Sequence, residues 1–259
     1  MSELGLFLRT RRAAVAPGAV GLPAGPRRRT PGLRRAELAA LSGVSVEYVT
    51  RLEQGRDRRP SAQVLSALAD ALGLSVAERV HLHRLAKGAE PGFTCRGPNQ
   101  PPSAVRPTVR ALLDRLEPSP AAVLGRTGDV LARTAGYEHL FGPLGLLDGP
   151  RPNLTRYVFG DPRARSAFPD WDRVADEQVA VLKQGPFRGD PRVAAIADEL
   201  TLVAGDAFTA RVAAVSGPPS GTGVLRLVHP RAGDLRLSYE TLDLPAGDDQ
   251  RLIFYAAAV

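Results

Sequence analysis

The chain has 259 residues, 44% hydrophobic and 24% charged, a balance that excludes disorder throughout and suits one large domain or two ordinary ones. No apolar run approaches the roughly 18 residues needed to span a bilayer, no secretory leader is legible in Met1 to Arg12, and a lone cysteine, Cys95, excludes an internal disulfide or a cysteine-based metal cluster. The net charge of +7 is carried unevenly: residues 1–90 hold 15 basic and 8 acidic side chains, residues 91–259 hold 19 of each. A basic segment joined to a neutral one points to nucleic-acid binding beside a separate second module, since compositional drift would touch both halves alike.

In chain order, Leu4, Phe7, Leu8 and Arg11 open an amphipathic helix that stops before Pro17 and Gly18. An irregular Gly/Pro/Arg stretch runs from Ala16 to Gly32. Leu33 to Leu41 has apolar residues at helical spacing and is closed by Gly43. Ser45 is placed to cap a helix over Val46 to Gln54 that ends at Gly55, and Ser61 a helix carrying Val64, Leu65, Leu68 and Leu72. Ser75 and Glu78 form a capping box that opens a fifth helix. Gly88, Pro91, Gly92, Gly97, Pro98, Pro101, Pro102 and Pro107 then mark a linker, with Cys95 inside it.

Beyond it, Val109, Leu112, Leu113 and Leu116 predict one helix between Pro107 and Pro118. Ala121–Gly125 and Asp129–Arg133 flank Arg126-Thr127-Gly128 and predict a hairpin. A helical middle follows, including Asp172–Leu182 and Pro191–Val203. Leu225, Leu227 and His229 alternate on one strand, Leu235, Leu237 and Tyr239 on the next, and Gln250 to Ala256 supplies the last. Two strands, a helical insert and a three-strand meander make an antiparallel sheet with helices on one face.

Leu38-Ala39, Gly43-Val44-Ser45, Val49 and Leu52-Glu53-Gln54-Gly55 fall in the register of a helix-turn-helix. Ala39 is small where the second helix crosses, Gly43 permits a positive φ, and Val44, Val49 and Leu52 anchor the recognition helix. That leaves Ser45, Val46, Glu47, Thr50 and Arg51 for the major groove. Arg51 is placed to pair with guanine, or with Glu47 four residues before it. Arg34 and Arg35 start the preceding helix and reach phosphate or a base edge. Arg27, Arg28 and Arg29, and Arg56, Arg58 and Arg59 past the recognition helix, suit phosphate contacts.

The first 90 residues resemble the Cro/repressor-type helix-turn-helix. More narrowly, Val20-Gly21-Leu22-Pro23, Arg27 to Arg35 and Tyr48 to Arg56 are similar to the MmyB-like regulators of actinomycete-type bacteria. The likeness continues through Asp161-Pro162-Arg163-Ala164-Arg165, Pro169-Asp170-Trp171, Glu199-Leu200, His229-Pro230, Tyr239-Glu240 and Asp249-Gln250-Arg251-Leu252. It implies a second domain of PAS-like fold that binds a small apolar ligand, with a fatty acid as precedent; the strand order read above agrees with a PAS-like sheet. The chain departs from the family at Phe208 to Val215, where a Trp and an Arg-His pair are usual, and at Arg133-Thr134, where a Trp-Asn pair is usual.

The expected fold is an all-α, five-helix helix-turn-helix domain (1–88), a linker (89–102) and an α+β PAS-like domain with a five-stranded antiparallel sheet and a helical insert (103–259). In the second domain Phe159, Trp171 and Phe208 are pocket walls or ordinary core aromatics. Arg156 and His229 are carboxylate anchors, or a surface arginine and a strand-end histidine. Tyr239 completes the ligand candidates. Asp170, Asp172, Asp176 and Glu177 read as an acidic helix N-terminus. Catalysis is not expected: His81 and His83 do not share a helix face, Gly221-Thr222-Gly223 reads as a short turn rather than a phosphate loop, and no nucleophile elbow occurs. The expected protein is a cytoplasmic, homodimeric regulator of double-stranded DNA without cofactor, metal or membrane attachment. Its second domain senses a small apolar ligand or, alternatively, serves as a dimerisation or partner-binding module.

Overall fold

A computed structural model describes residues 2–23, 31–57, 60–88, 104–184, 190–244 and 249–258. The predicted linker, Cys95, Arg27 to Arg29, Arg58 and Arg59 lie outside the described residues. The chain divides into two compact units, the first built essentially on residues 1–94 and the second on the sheet and its helices.

In the first unit five α-helices stand among the described residues: α1 (Glu3–Ala14), α2 (Arg35–Ser42), α3 (Val46–Gln54), α4 (Ala62–Ala71) and α5 (Val76–Gly88). Their starts follow local chemistry. The hydroxyls of Ser45 and Ser61 accept from Tyr48 N at 3.1 Å and Val64 N at 3.3 Å. Ser75 N donates to the Glu78 carboxylate at 2.8 Å, while Glu78 N donates to Ser75 Oγ at 3.4 Å, so two end groups are satisfied reciprocally. The Pro17–Val20 stretch, expected to be irregular, makes one 3₁₀ turn, and Val20 and Leu22 rest on the core formed by Leu4, Phe7, Leu8, Leu38, Val49, Leu52, Leu65 and Leu68.

The second unit is an antiparallel sheet of five strands, β1 (Ala121–Gly125), β2 (Val130–Arg133), β3 (Thr222–His229), β4 (Gly233–Asp243) and β5 (Gln250–Ala257), in the order β2-β1-β5-β4-β3. The two alternating strands pair as expected, with Leu225 opposite Leu237 and Leu227 opposite Leu235. Between β2 and β3 the chain forms α7 (Ala135–Phe141), α8 (Leu154–Gly160), α9 (Arg163–Ala167), α10 (Trp171–Leu182), α11 (Pro191–Ala204) and α12 (Asp206–Ala214), preceded by α6 (Pro107–Asp114) ahead of the sheet. Leu225, Leu227, Ile253 and Tyr255 pack under the helical insert together with Tyr137, Phe141, Phe168 and Trp171.

Helices on one face only proves incomplete. Val109 and Leu113 of α6 bury against Ala121, Val123, Ala132 and Leu252 on the opposite face. The reason lies in β1, whose Ala121-Ala122-Val123-Leu124 run is apolar on both sides and needs cover on both. A second correction concerns Gly221-Thr222-Gly223: Thr222 and Gly223 open β3 rather than forming a turn. A Cβ at Gly223 would stand 2.9 Å from the Tyr239 ring, which would have to shift to admit it.

Candidate nucleic-acid interface and ligand domain

The turn between α2 and α3 is short because Gly43 takes φ +67°, a left-handed conformation that costs glycine nothing. Val44 N returns to Ala39 O at 3.1 Å. Burial splits α3 cleanly. Val49, Leu52 and Glu53 face the core, while Ser45, Val46, Glu47 and Arg51 are exposed and Thr50 is half-buried. Five residues expected to meet DNA therefore share one edge of the unit. The Arg51 guanidinium lies over the Tyr48 ring at 5.5 Å, and no Arg51–Glu47 ion pair forms among the described residues. Arg34 and Arg35 are exposed at the start of α2 and Arg56 follows α3. Arg34 N donates to the Glu37 carboxylate at 2.6 Å, which stabilises this helix start.

What sequence reasoning missed is how α3 is held. Arg12 Nε and the Glu53 carboxylate meet at 2.6 Å, a second guanidinium nitrogen reaches the other oxygen at 3.2 Å, and Arg12 also donates to Leu33 O at 2.6 Å. Arg35 adds a contact to Glu53 at 2.8 Å, so this arginine is partly tied inward. The buried Glu53 thus joins α1, α2 and α3. A signal existed: Arg12 follows Leu8 by four residues and Glu53 follows Val49 by four, so each charge occupies an inward position of its helix. Close approach helps, because a Cβ on Gly5 would stand 2.4 Å from Glu53 O. His81 of α5 meets Phe7 edge-on at 5.2 Å, and its burial pushes the imidazole down to about 4.

In the second unit the structure brings three of six ligand candidates together. Phe159 of α8 meets Trp171 of α10 at 6.0 Å and Phe208 of α12 at 5.1 Å, both edge to face. Trp171 Nε1 donates to Val158 O at 2.9 Å, and the Arg165 and Arg211 guanidiniums lie 3.8 and 4.7 Å from its ring centre. Arg211, within the segment that departs from the family pattern, also pairs with Asp172, and with Asp176 at 3.0 Å. The other departure is equally structural: Thr134 Oγ1 accepts from Tyr137 N at 3.1 Å and starts α7.

The remaining candidates sit apart. Arg156 is held bidentately by Glu199 at 2.7 and 2.9 Å, a pairing that raises the guanidinium and lowers the carboxylate. The chain itself already supplies its carboxylate. His229 Nδ1 accepts from Arg231 N at 3.2 Å and Ala232 N at 3.0 Å, closing the β3–β4 turn, while Nε2 is buried with no hydrogen-bond partner among the described residues. Tyr239 stands on the inner face of β4 opposite Tyr255, ring centres 6.3 Å apart; burial raises its phenol against the opposing pull of the Arg173 guanidinium. The predicted acidic cluster is divided among partners. Asp170 pairs with Arg226 at 3.3 Å, Asp172 and Asp176 with Arg211, and Glu177 accepts from Ser220 N at 3.0 Å; burial pushes Glu177 up. Among the described residues no group of three His, Cys, Asp or Glu could hold a metal ion, and no helix is long and apolar enough to cross a membrane.

A presented helix held on a small all-α unit, followed in the same chain by a five-stranded antiparallel sheet with its helical insert, defines a DNA-binding transcription regulator with a ligand-binding domain. Residues 3–82 match the model of a helix-turn-helix domain family, and residues 105–259 match the MmyB-like transcription regulator ligand binding domain. The chain belongs to the MmyB-like transcription regulators. No curated protein matches it.

Proposed function

We propose that the chain reads a specific DNA sequence through α3 and adjusts that binding to a small apolar ligand of the fatty-acid class held by its C-terminal domain. The observation that carries the first half is the outward face of α3, whose inward face is locked by Val49, Leu52 and Glu53. Val46, Glu47, Thr50 and Arg51 read bases from that face, and Ser45 lies at its groove-facing start. Arg34, Arg35 and Arg56 position the backbone, joined by Arg27, Arg28, Arg29 and Arg58. The working boundaries are 1–88 for the DNA-binding domain, 89–102 for the linker and 103–259 for the ligand domain. The protein acts in the cytoplasm as a homodimer, because one recognition helix reads only a few base pairs and two half-sites supply useful selectivity, and it carries out no catalysis.

The inner face of the sheet, with Leu225, Leu227, Leu235, Leu237 and Ile253, supports an apolar ligand between sheet and insert. The closed packing of Phe159, Trp171 and Phe208 on one another favours the alternative reading, a module that only dimerises or binds a partner, for that part of the insert. Organic extraction of protein purified from its own cells, with thermal unfolding in a panel of fatty acids, separates the two. A bound apolar ligand stabilises the fold by about 2.7 kcal/mol at one hundred times Kd. An empty extract with no shift of the midpoint leaves the ligand-free module.

A further inference from the structure

The inner face of the sheet is not apolar throughout. Alternation along β5 puts Arg251, Ile253 and Tyr255 on that face, with Arg251 opposite Leu124 of β1 and Tyr255 opposite Tyr239 of β4. Tyr137 of α7 packs over the Tyr255 end of this face, its ring 4.4 Å from Phe141 and 6.3 Å from Tyr255, within reach of the Arg251 charge. Tyr137 has no exposed surface, yet its Oη makes no hydrogen bond among the described residues. Arg251 Nε is likewise buried with no hydrogen-bond partner among the described residues; Arg133 Nε, at the neighbouring end of β2, has only an ion pair to Glu138 at 3.5 Å. Both guanidiniums act on the Tyr137 phenol, but burial outweighs them and keeps it, like Tyr255, far above the ordinary tyrosine range. The phenols remain protonated donors.

Acidic groups do face Arg251 from elsewhere: Glu177 of α10 and Asp243 of β4. Glu177 is engaged by Ser220 N, and neither carboxylate hydrogen-bonds to Nε. A buried donor without an acceptor costs about 1–3 kcal/mol, and proteins seldom leave such groups unmet. Donors surrounded by Leu124, Phe141 and Ile253 call for an acceptor attached to an apolar body. A carboxylate is acceptor-only and offers several lone pairs, and as an anion it gains most from a guanidinium.

We propose that Tyr137 Oη and Arg251 Nε form a subsite for the carboxylate of the ligand, whose apolar tail runs along the inner face of the sheet. This rests on the ligand-sensing reading above. It moves the carboxylate anchor from Arg156, which Glu199 holds, and from His229, whose Nδ1 closes the β3–β4 turn, to Tyr137 and Arg251 on the inner face of the sheet.

The test uses the full chain, titrated calorimetrically with decanoate and with methyl decanoate, as wild type, Tyr137→Phe and Arg251→Gln. The wild type prefers the acid by about tenfold, the scale of one hydrogen bond to a charged group, and both variants narrow that preference while binding the ester as before. Without ligand, Tyr137→Phe melts no lower than wild type, since it removes only an unsatisfied hydroxyl. Equal affinity for acid and ester in all three proteins overturns the subsite and leaves the apolar pocket standing. Binding of neither compound overturns both. A fall of the ligand-free midpoint in Tyr137→Phe also overturns the subsite, because Oη then has a structural partner.

Discussion

Arg51 and Arg12 are both arginines of the first unit, and the structure gives them opposite work. Arg51 points outward over Tyr48. Replacing it with alanine costs about 1–3 kcal/mol of affinity on the specific site and relaxes preference at one base pair. Arg56→Ala weakens all sequences alike. Selection from a randomised duplex library by each variant checks the division, and identical preference profiles would show it to be wrong. Arg12 points inward to Glu53. Arg12→Ala leaves a buried carboxylate with only Arg35 beside it, a loss of about 3–5 kcal/mol by the usual cost of breaking a buried pair. Urea unfolding reads this directly, and an unchanged midpoint would deny the pair its structural role. The difference between the two was only half legible. Arg51 falls in a motif whose local register announces an outward face, whereas the Arg12 partner lies 41 residues away and is chosen by tertiary packing.

At the scale of elements, what the sequence showed best was whatever neighbours decide. The Ser45, Ser61 and Ser75 caps and the Gly43 turn need only a few consecutive residues, and each is present. The inward faces of β3 and β4 followed from alternation, because a slip of one residue would turn Leu225 and Leu227 outward. What escaped depended on contacts between distant elements: the far-face packing of α6, the separate partners of Asp170 to Glu177, and the β5 residue Tyr255, whose ring meets Tyr137 and Phe141 of α7. Gly5→Ala is a clean probe of such a contact. Its Cβ meets the backbone oxygens of Leu52 and Glu53, so α1 and α3 must separate, and overpacking of this kind costs about 1–3 kcal/mol. Both the melting temperature and DNA affinity fall together. Loss of neither would mean that α1 does not position α3.

α5 carries a pH dependence. The His81 pKa stands near 4 when folded and about 6.5 when unfolded, so the unfolded chain takes up the proton first as pH falls. Stability contributed by keeping this imidazole neutral is full above about 6.5 and is lost progressively down to about 4, by up to about 1.4 kcal/mol per pH unit. His81→Gln flattens that limb of the stability profile. An equally steep limb in the variant would assign the acid sensitivity to other groups.

The whole molecule divides its labour by charge. The excess of basic residues lies in residues 1–90, and residues 91–259 are neutral on balance, a split readable from composition alone. Two recognition helices of a homodimer demand half-sites about one helical turn apart, near 10 base pairs centre to centre, and footprinting with sedimentation checks both spacing and stoichiometry. A monomer protecting a single half-site would contradict the dimer. Ligand in the second domain alters DNA binding only if it favours one arrangement of the two domains over another. The ligand test above therefore stands apart from the test of DNA reading.

The most direct measurement is the affinity of the full chain for a selected duplex and for a scrambled one, across a salt series, with wild type and Arg51→Ala side by side. The account predicts that binding to both duplexes weakens steeply with salt, by about 0.9 log unit per log unit of salt for each phosphate neutralised. It also predicts that wild type alone keeps a strong preference for the selected sequence. Binding that ignores salt, or an Arg51→Ala variant that discriminates as well as wild type, would contradict it.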